Sequence, residues 1–545
     1  MMTDPLHVLA YDIGTTSAKT CLFALGSTLQ LLGSVSQRYP LRILPFGGAE
    51  QDPDDWWNAM RATTSDVLSR TGVSSESVGA LSFCCQMQGL VLVDAEGRVL
   101  RPAMSYMDQR AVAQWSRGIG TGLRVAGLNA RKLLLSLLVT GGASASVKDP
   151  VWKYAWVKEN EPEVFRRIHA WLDVKEYLLL RCTGNALMTE DSAHVTFLYD
   201  TRPGRRGWSR RLLRSFDVEP DHMPRVVPST ASVGSLTPLA AQQLGLKAGT
   251  PVIGGGGDVT MMAVGCGCVA PGDTHVYVGT SGWVSQVVQR RVVDLDHFIG
   301  SVLAARSGFY NYVGEQETSG KCLEWVRDHL ALDEIGVYLE GRQAHDRPDS
   351  GYATLLEYLD HVIQETKAGS GGIIFTPWLH GNRSPFEDPN ARGMFFNIGL
   401  ETGKRNLIRA VVEGIAYHKR WILECMEEKT FPVEKLRFAG GGAISDSTSQ
   451  ILADVTGKRV EAVESPQNAG AAGAALLCGI ARGRISSFEA AAALVSIRKT
   501  FEPDAGRAGV YARGFEVFKR LYRSNKESFA LLNAPEGSPA DRPRA

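Results

Sequence analysis

Hydrophobic residues alternate along the chain between short β-type runs and longer segments with helical spacing. Apolar β-type runs lie at residues 6–11, 252–254 and 436–439. Residues 402–424 instead keep close to the 3.6-residue period that buries one face of a helix, with apolar positions at Leu407, Val411, Ile415 and Ile422. Asp52 followed by Pro53 predicts another helix start, because Asp can cap a helix and Pro fits its first position. The alternation predicts an α/β fold.

A strand-turn-strand unit occurs twice. The first copy, residues 10–17, reads Ala-Tyr-Asp-Ile-Gly-Thr-Thr-Ser, and the second, residues 276–282, reads Val-Tyr-Val-Gly-Thr-Ser-Gly. Close to half of the 545-residue chain separates Gly14 from Gly279. The repeat predicts two related domains whose turns face a shared cleft. Chance similarity between short Gly/Ser/Thr turns is the alternative.

Composition and charge restrict the partners. With 44% hydrophobic and 21% charged residues, the chain can bury large cores, and its length favours two domains. The 59 Lys and Arg residues against 58 Asp and Glu residues leave a net charge of +1, which favours neither nucleic acid nor an anionic membrane surface. We therefore expect a small-molecule ligand.

The cysteines and the N-terminus predict a cytoplasmic protein. The nine cysteines are scattered without zinc-ligand spacing, which favours core thiols in a reducing compartment. No basic segment followed by an apolar stretch opens the chain, and the densest apolar run, residues 133–139, is too short to span a bilayer. We place the domains at residues 1–250 and 251–532. Residues 533–545 have the composition of a flexible tail.

The first repeat has the residues of a phosphate-binding turn. A Gly-rich turn lets backbone N–H groups approach phosphate closely, and this turn consists of Gly14, Thr15, Thr16 and Ser17. Asp12 ends the preceding strand and is placed to hold Mg²⁺ through water, while Lys19 and the hydroxyls meet phosphate oxygens. The Walker A spacing is absent. An ordinary turn beside a satisfied Asp is the alternative.

Three later loops complete the set of candidates. Gly279, Thr280, Ser281 and Gly282 are predicted to hold the same polyphosphate from the opposite side. A third turn, residues 440–442, leaves room for a base or ribose, unless it is an ordinary strand-to-helix turn. Asp258 follows four glycines, so a substrate can approach it closely and lose a hydroxyl proton to it during phosphoryl transfer. Asp258 could also cap the helical segment 259–264, and the two roles are compatible.

These loops, in this order, resemble the FGGY family of carbohydrate kinases, within the actin-like ATPase superfamily, over residues 6–501. The resemblance is also carried by residues 50–57 (Glu-Gln-Asp-Pro-Asp-Asp-Trp-Trp), 149–156 and 407–414, and its xylulokinase-like character by residues 86–92, 376–379 and 388–393. It implies two ribonuclease-H-like domains around a deep central cleft, with the sugar held mainly by the first and Mg-ATP mainly by the second. The implied reaction is ATP-dependent phosphorylation of D-xylulose to D-xylulose 5-phosphate. A homodimer is a further expectation from the resemblance alone.

The resemblance also implies roles for individual residues. Asp12 is the metal-linked carboxylate and Asp258 the general base. The phosphate loops contain Thr15, Thr16, Gly279 and Thr280, and the adenosine site contains Gly441, Gly442 and Asp446. The sugar site is lined by Met87, Gln88, Asp108 and Asp258.

Several positions depart from the family pattern. Gln88 stands where xylulokinases commonly have His, Met107 where Asn is common, and Val259 where Asn or Gln often follows the base. Asn382 replaces a usual Glu, and Asp446 replaces an Asn found in many relatives. Ribulose, a pentitol or an autoinducer-like polyol therefore stay open as acceptors. Outside the sugar kinases, the alternatives are an actin-type or chaperone-type ATPase and a binding-only pseudokinase. Such ATPases have no reason to carry Asp258 together with the sugar segments.

Overall fold

The computed structural model describes residues 4–125, 127–330 and 355–534. Strands and helices alternate through it, which confirms the predicted α/β class. Of the predicted tail, residues 535–545 lie outside the described residues, and Asn533 ends the last helix. Across the described ranges, no helix is long and apolar enough to cross a membrane.

The first lobe is built on a sheet that has seven strands in the described residues. Its strands are β1 (Leu6–Ile13), β2 (Ser17–Leu25), β3 (Leu29–Arg38), β4 (Val78–Cys85), β5 (Ser232–Ser235), β6 (Pro251–Ile253) and β7 (Gly256–Gly257). Their order is β5-β6-β4-β1-β2-β3, and β7 also pairs with β4. The pairs β1–β2 and β2–β3 are antiparallel, whereas β4 runs parallel to β1. Strands β6 and β7 belong to this sheet although they follow residue 250 in the chain. The domain boundary placed at residue 250 stays a prediction.

The second lobe repeats this arrangement on a sheet with eight strands in the described part of the chain. Its strands are β8 (Thr274–Val278), β9 (Gly282–Val288), β10 (Val293–Asp294), β11 (Ile299–Leu303), β12 (Tyr310–Gln316), β13 (Lys435–Ala439), β14 (Arg459–Val463) and β15 (Ile497–Phe501). Their order is β10-β11-β12-β9-β8-β13-β14-β15. As in the first sheet, the leading strand forms an antiparallel hairpin on one side and pairs in parallel on the other. Gly14 and Gly279 each follow the leading strand of their sheet, as the repeat predicts.

Helices cover the sheets and connect their strands. They are α1 (Pro53–Thr71), α2 (Val112–Ile119), α3 (Ala130–Val139), α4 (Pro150–Asn160), α5 (Pro162–Phe165), α6 (Val174–Thr183), α7 (Glu190–Val195), α8 (Arg210–Ser215), α9 (Pro238–Leu244), α10 (Asp258–Gly265), α11 (Lys321–Leu330), α12 (Leu355–Glu365), α13 (Lys404–Glu427), α14 (Asp446–Thr456), α15 (Ala469–Ala481), α16 (Phe488–Ala492) and α17 (Ala508–Asn533). Shorter strands lie at Arg42–Leu44, Gly48–Gln51, Val91–Val93, Ala103–Met104, Arg124–Val125, Leu128–Asn129, Ala170–Leu172, Leu187–Thr189, Tyr199–Asp200, Gly207–Trp208, Arg225–Val227, Ile374–Phe375 and Phe395–Phe396.

The two helices read most clearly from the sequence form as predicted. Helix α1 starts after Asp52, whose side chain accepts the N–H of Asp54, with Pro53 in the first helical position. It ends at Gly72, which has a φ of 69°. Helix α13 buries three of its four predicted apolar positions, and the fourth is partly buried.

Helix α10 lies between the lobes and packs on both. Met261 and Val264 join a core that includes residues of β1 and β4, whereas Val259 and Met262 pack with residues of β8 and β9. Helix α15 crosses α10 so closely that a Cβ on Gly265 would lie 1.7 Å from the carbonyl oxygen of Ala469. The first residue of α10 is Asp258, so both lobes fix its position.

Candidate active site

Strand register brings Asp12 and Asp258 to one edge of the first sheet. Asp12, in β1, lies beside Cys84 of β4, and Cys84 lies beside Gly256 of β7. These strands are parallel, so their carboxyl ends meet at the same edge, and Asp258 comes two residues after Gly256. The negative charge of Asp12 contributes to raising the pKa of Asp258, which reflects this proximity.

Asp258 has the electrostatics of a proton acceptor that works near neutral pH. Burial raises the pKa of its carboxyl to about 7, with the charges of Glu315 and Asp12 adding to the effect, although the N–H of Val259 opposes it. That N–H lies 2.8 Å from Oδ1 of Asp258. The N-cap of α10 is Gly257, so Asp258 occupies the first helical position and not the cap. A half-buried carboxyl with such a pKa is suited to general base catalysis.

The first turn is held by a backbone hydrogen bond and by side chains that donate hydrogen bonds to its carbonyl groups. The N–H of Gly14 donates to the carbonyl of Ser17 at 2.9 Å, and the hydroxyl of Tyr39 donates to both of these residues' carbonyls. Gln51 donates to the carbonyl of Thr15 at 2.8 Å. Thr16 is exposed. These hydrogen bonds hold the shape of the turn. The phosphate-binding roles predicted for Gly14, Thr15, Thr16 and Ser17 stay predictions.

Lys19 joins the first lobe to the second at this turn. It lies opposite Asp12 in the β1–β2 pair, and its Nζ is 3.5 Å from Oδ2 of Asp12. The same ammonium donates to the carbonyl of Gln467 at 2.5 Å. Lys19 therefore lies between Asp12, the predicted metal-linked carboxylate, and the second lobe.

The second and third turns leave the second sheet side by side. Tyr277 of β8 pairs with Ala439 of β13 in parallel, so Gly279 and Gly440 emerge at one edge. Gly440 has a φ of 88°, and a Cβ there would lie 2.5 Å from the carbonyl oxygen of Val278. This close approach requires glycine.

The polar residues of these turns remain accessible. Thr280, Ser281 and Gly441 are exposed, whereas Gly282 and Gly442 are buried. The carbonyl of Thr280 accepts the N–H groups of Ser319 and Lys321 at 3.1 and 3.2 Å. The nucleotide roles predicted for Gly279, Thr280, Ser281, Gly441 and Gly442 stay predictions.

Asp446 and Asn382, two departures from the family pattern, have side chains that bond to neighbouring residues. Nη2 of Arg498 and Nζ of Lys499 lie 2.8 and 2.6 Å from the two carboxylate oxygens of Asp446. Burial alone would raise the pKa of Asp446, but hydrogen bonds from Lys499 and Arg498 hold it below its usual value. The adenosine contact predicted for Asp446 stays a prediction. The amide of Asn382 donates to two carbonyls of its own loop, those of Ser384 and Phe386.

The predicted sugar residues fall into two groups. Met87 lies against Gly257: a Cβ added to Gly257 would be 2.1 Å from the sulfur of Met87. Met87 therefore borders the loop that carries Asp258. Gln88 follows with a φ of 63°, and its N–H donates to Asp173 at 2.8 Å. Asp108 is fully buried, and its carboxylate accepts the N–H of Ala49 and bonds from Arg110. The structure places Met87 beside the Asp258 loop and leaves Gln88 half-buried, whereas Asp108 is enclosed. The sugar contacts predicted for all three residues stay predictions.

Asp149 and Lys153 are buried polar residues beside Gln88 that the sequence did not single out individually. Burial raises the pKa of Asp149 to about 7, an effect that the N–H of Ser146 and the charges of Arg383 and Lys153 oppose. Nε2 of Gln88 lies 3.5 Å from Oδ1 of Asp149. Lys153 donates to the carbonyl of Gln88 at 2.7 Å, and burial lowers its pKa to about 8. The sequence pointed to Asp149 and Lys153 only because they lie in residues 149–156, one of the segments that carry the family resemblance.

The second lobe contributes Glu315, Glu317 and Arg383 to the region around these residues. Arg383 forms an ion pair with Glu315, and Lys148 lies 3.4 Å from Glu317, a contact that joins the lobes. Tyr106, which receives a hydrogen bond from Thr15 at 3.3 Å, has its pKa raised by burial and by Asp258, Glu317 and Glu315. The charged groups of both lobes therefore surround one region.

Comparison with known proteins covers nearly the whole chain. Residues 7–265 match the N-terminal domain, and residues 275–482 the C-terminal domain, of the FGGY family of carbohydrate kinases. The chain is 28% identical over 535 residues to a xylulose kinase of Bacillus subtilis, covering 97% of this chain and 99% of that protein. It is 26% identical to a gluconokinase of the same species, with 96% and 97% covered.

The solved structure of xylulose kinase from Rhodospirillum rubrum is similar throughout. It superposes with a TM-score of 0.79 at 26% identity, covering 96% of this chain and 99% of that one. The likeness confirms the predicted two-domain, actin-like ATPase fold. Together with the two domain matches, it shows that the chain belongs to the FGGY family of carbohydrate kinases and is an ATP-dependent sugar kinase.

Proposed function

We propose that this kinase transfers the terminal phosphoryl group of Mg-ATP to a primary hydroxyl of D-xylulose, giving D-xylulose 5-phosphate. The observation that carries the proposal is the position of Asp258, a half-buried carboxyl between Met87 on the sugar side and Asp12 on the nucleotide side. Its pKa of about 7 allows it to accept a proton at physiological pH. The xylulose kinases among its relatives support D-xylulose as the acceptor.

In the proposed mechanism, Asp258 accepts the proton of the acceptor hydroxyl as the hydroxyl oxygen bonds to phosphorus. The bond from phosphorus to the β,γ-bridging oxygen breaks, and ADP leaves with that bond's electron pair. The exposed hydroxyls of Thr16, Thr280 and Ser281 are available to the polyphosphate. Both phosphate turns are fixed by their own backbone bonds, so they are preorganised for the nucleotide.

Asp12 suits the magnesium that such a reaction uses. Among the described residues, no group of three His, Cys, Asp or Glu side chains is arranged to hold a metal ion. Mg²⁺ usually keeps several waters and binds through one or two carboxylates together with substrate phosphates. The Asp12 side chain is 27% exposed and 3.5 Å from Lys19, so it could hold the ion in this way. When bound, Mg²⁺ neutralises negative charge on the phosphates.

The charges near the sugar side favour a neutral acceptor over gluconate, the substrate named for some relatives. Lys148 and Arg383 are each paired with a glutamate, and Lys153 donates to a backbone carbonyl. Asp149 and Asp258 add carboxyl groups to the same region. The carboxylate of a sugar acid would find each of these three cations already bonded to a protein group, whereas a ketose needs no cationic partner.

A substrate panel with coupled ADP detection tests the acceptor. We expect kcat/KM to be highest for D-xylulose, lower for other pentuloses and pentitols, and at least about tenfold lower for gluconate, glucose and glycerol. Higher kcat/KM for gluconate than for every pentulose would refute the acceptor and leave the kinase activity intact. Rapid ATP hydrolysis without any sugar would instead favour an actin-type ATPase.

Substitution of Gln88 tests the sugar side directly. Gln88→His restores the residue common in xylulokinases, and we expect improved D-xylulose turnover if this side chain contacts the sugar. The backbone N–H of Gln88 is already used by Asp173, so the substitution mainly changes the side chain. An unchanged kcat/KM for every acceptor would assign Gln88 a purely structural role.

Location and assembly remain parts of the proposal. The nine cysteines are free and buried, which supports a cytoplasmic location because cytosolic thiols stay reduced. Light scattering after size exclusion would decide whether the protein forms the expected homodimer.

A further inference from the structure

Tyr277 is a rigidly held residue that the proposed mechanism does not use. It lies in β8 two positions before the second turn, and its ring stacks on Trp283 of β9 with centroids 4.1 Å apart and an interplanar angle of 24°. Nε1 of Trp283 donates to Nε2 of His275 at 2.9 Å. Because Trp283 is fixed by this bond and by burial, the orientation of the tyrosine ring is fixed as well.

The tyrosine lies directly beneath two nucleotide turns. A Cβ on Gly279 would be 2.2 Å from the tyrosine hydroxyl oxygen, and a Cβ on Gly440 would be 2.9 Å from its ring. Glycine at both positions leaves the space that the side chain fills. The hydroxyl is therefore located where the second and third turns meet.

The two carboxylates of the first lobe act electrostatically on this hydroxyl. Burial raises the pKa of Tyr277, and the charges of Asp12 and Asp258 raise it further. The phenol consequently stays protonated and can donate a hydrogen bond throughout the working pH range. None of the residues in the described ranges forms a hydrogen bond with this hydroxyl. A donor held in place without a partner is suited to a ligand group.

We propose that the hydroxyl of Tyr277 donates a hydrogen bond to the phosphoryl group during its transfer. The inference rests on the proposed function, which places the transfer between Asp12 and Asp258 beside the second turn. Negative charge spreads over the phosphoryl oxygens in the transition state, so a preorganised neutral donor there stabilises it. Tyr277 keeps its own proton, and Asp258 remains the base.

Tyr277→Phe tests the proposal because it removes the hydroxyl and keeps the stacked ring. We expect kcat to fall about 10- to 100-fold, the scale of one hydrogen bond to a charged group, with KM for ATP and sugar within about twofold. Binding supplies a second readout. By calorimetry, affinity for Mg-ADP with aluminium fluoride and sugar should fall by a similar factor, while affinity for Mg-ADP alone stays unchanged.

Tyr312→Phe is the matched control. Tyr312 is fully buried in β12, and its hydroxyl has no hydrogen-bond partner among the described residues. Removing that hydroxyl should leave kcat and both affinities unchanged. Trp283→Phe, which weakens the stacking without touching the hydroxyl, should lower kcat by less than Tyr277→Phe does.

Three outcomes would overturn the inference. They are a kcat for Tyr277→Phe within twofold of wild type, an equal loss of affinity for Mg-ADP alone, and a larger kcat loss from Trp283→Phe. If Tyr277→Phe misfolds, as judged by circular dichroism, the Trp283→Phe comparison between the aluminium fluoride complex and Mg-ADP alone still decides. A selective loss for the complex supports the proposal, and an equal loss refutes it. Asp258→Asn separates the two proposals, because full activity in that variant would refute the general-base role on which the proposed mechanism rests.

Discussion

The carboxyl of Asp258 should make the catalytic rate depend on pH near neutrality. Its pKa is raised to about 7, and only its ionised form can accept a proton. A group with a pKa of about 7 is about one tenth ionised at pH 6 and about nine tenths ionised at pH 8. We therefore expect kcat/KM to rise about tenfold between pH 6 and pH 8 and to level off above that range.

Glu315→Gln tests the electrostatic origin of this pKa. The negative charge of Glu315 is one of the causes that raise the pKa of Asp258. Removing it also leaves Arg383 without its ion-pair partner. Both changes favour the ionised form of Asp258, so the rising limb of the profile should move to lower pH. A general loss of activity at all pH values would not produce that shift.

The assay is coupled ADP detection at saturating Mg-ATP with varied D-xylulose. A wild-type profile that is flat from pH 5.5 to 8, or that rises near pH 4, would contradict the reasoning. Asp258→Asn should lose about 10²- to 10⁴-fold in turnover and retain Mg-ATP binding. Asp149 is the control, because burial also raises its pKa to about 7. If Asp258 is the titrating base, Asp149→Asn should still show the rise of kcat/KM between pH 6 and pH 8.

Four further outcomes are expected. Asp12→Ala should raise the Mg²⁺ concentration needed for half-maximal activity and leave sugar affinity nearly unchanged in calorimetry. ATP hydrolysis without sugar should be slow, and sugar should tighten ATP binding by the factor with which ATP tightens sugar binding. Gly440→Ala should lower the free energy of unfolding in urea by more than Gly457→Ala. Both have positive φ, but only the Gly440 Cβ meets backbone, at 2.5 Å from the oxygen of Val278; Gly457→Ala should cost about 1 kcal/mol. Asp258→Asn should raise Tm more at pH 8 than at pH 5, because the stability penalty of a carboxyl with a raised pKa grows as pH increases toward that pKa.

The elements that could be predicted from the sequence are those that local chemistry determines. Asp52 and Pro53 start α1 through a cap and a fixed φ, and neither effect needs a distant partner. Strand-end glycines likewise marked the turns at Gly14 and Gly279. Asp258 became a candidate base because it directly follows a contiguous glycine-rich segment, and that role stays a prediction.

What the sequence could not supply was the set of partners that decide what each side chain does. Asp446 resembled an adenosine contact in its own segment, yet the cations that occupy it, Arg498 and Lys499, come from a strand more than forty residues later. Tyr277 appeared in the sequence only as one residue of the second repeat, with no role assigned to it. Its place beneath two turns depends on the parallel pairing of β8 with β13, which no local pattern reveals.

Helix α10 shows how these long-range contacts bear on function. Its segment is buried on all sides, so it has no polar face whose period could be read, and its packing against both sheets was not predictable. Since Asp258 begins this helix, the same packing positions the proposed base relative to the predicted sugar residues in the first lobe and the predicted nucleotide turns in the second. Gly265 permits the close crossing of α15 on α10, so a larger side chain there would displace the element that carries the base. The geometry of the proposed reaction thus depends on the contact of Gly265 with Ala469, more than 200 residues away in sequence, as much as on the proposed base itself.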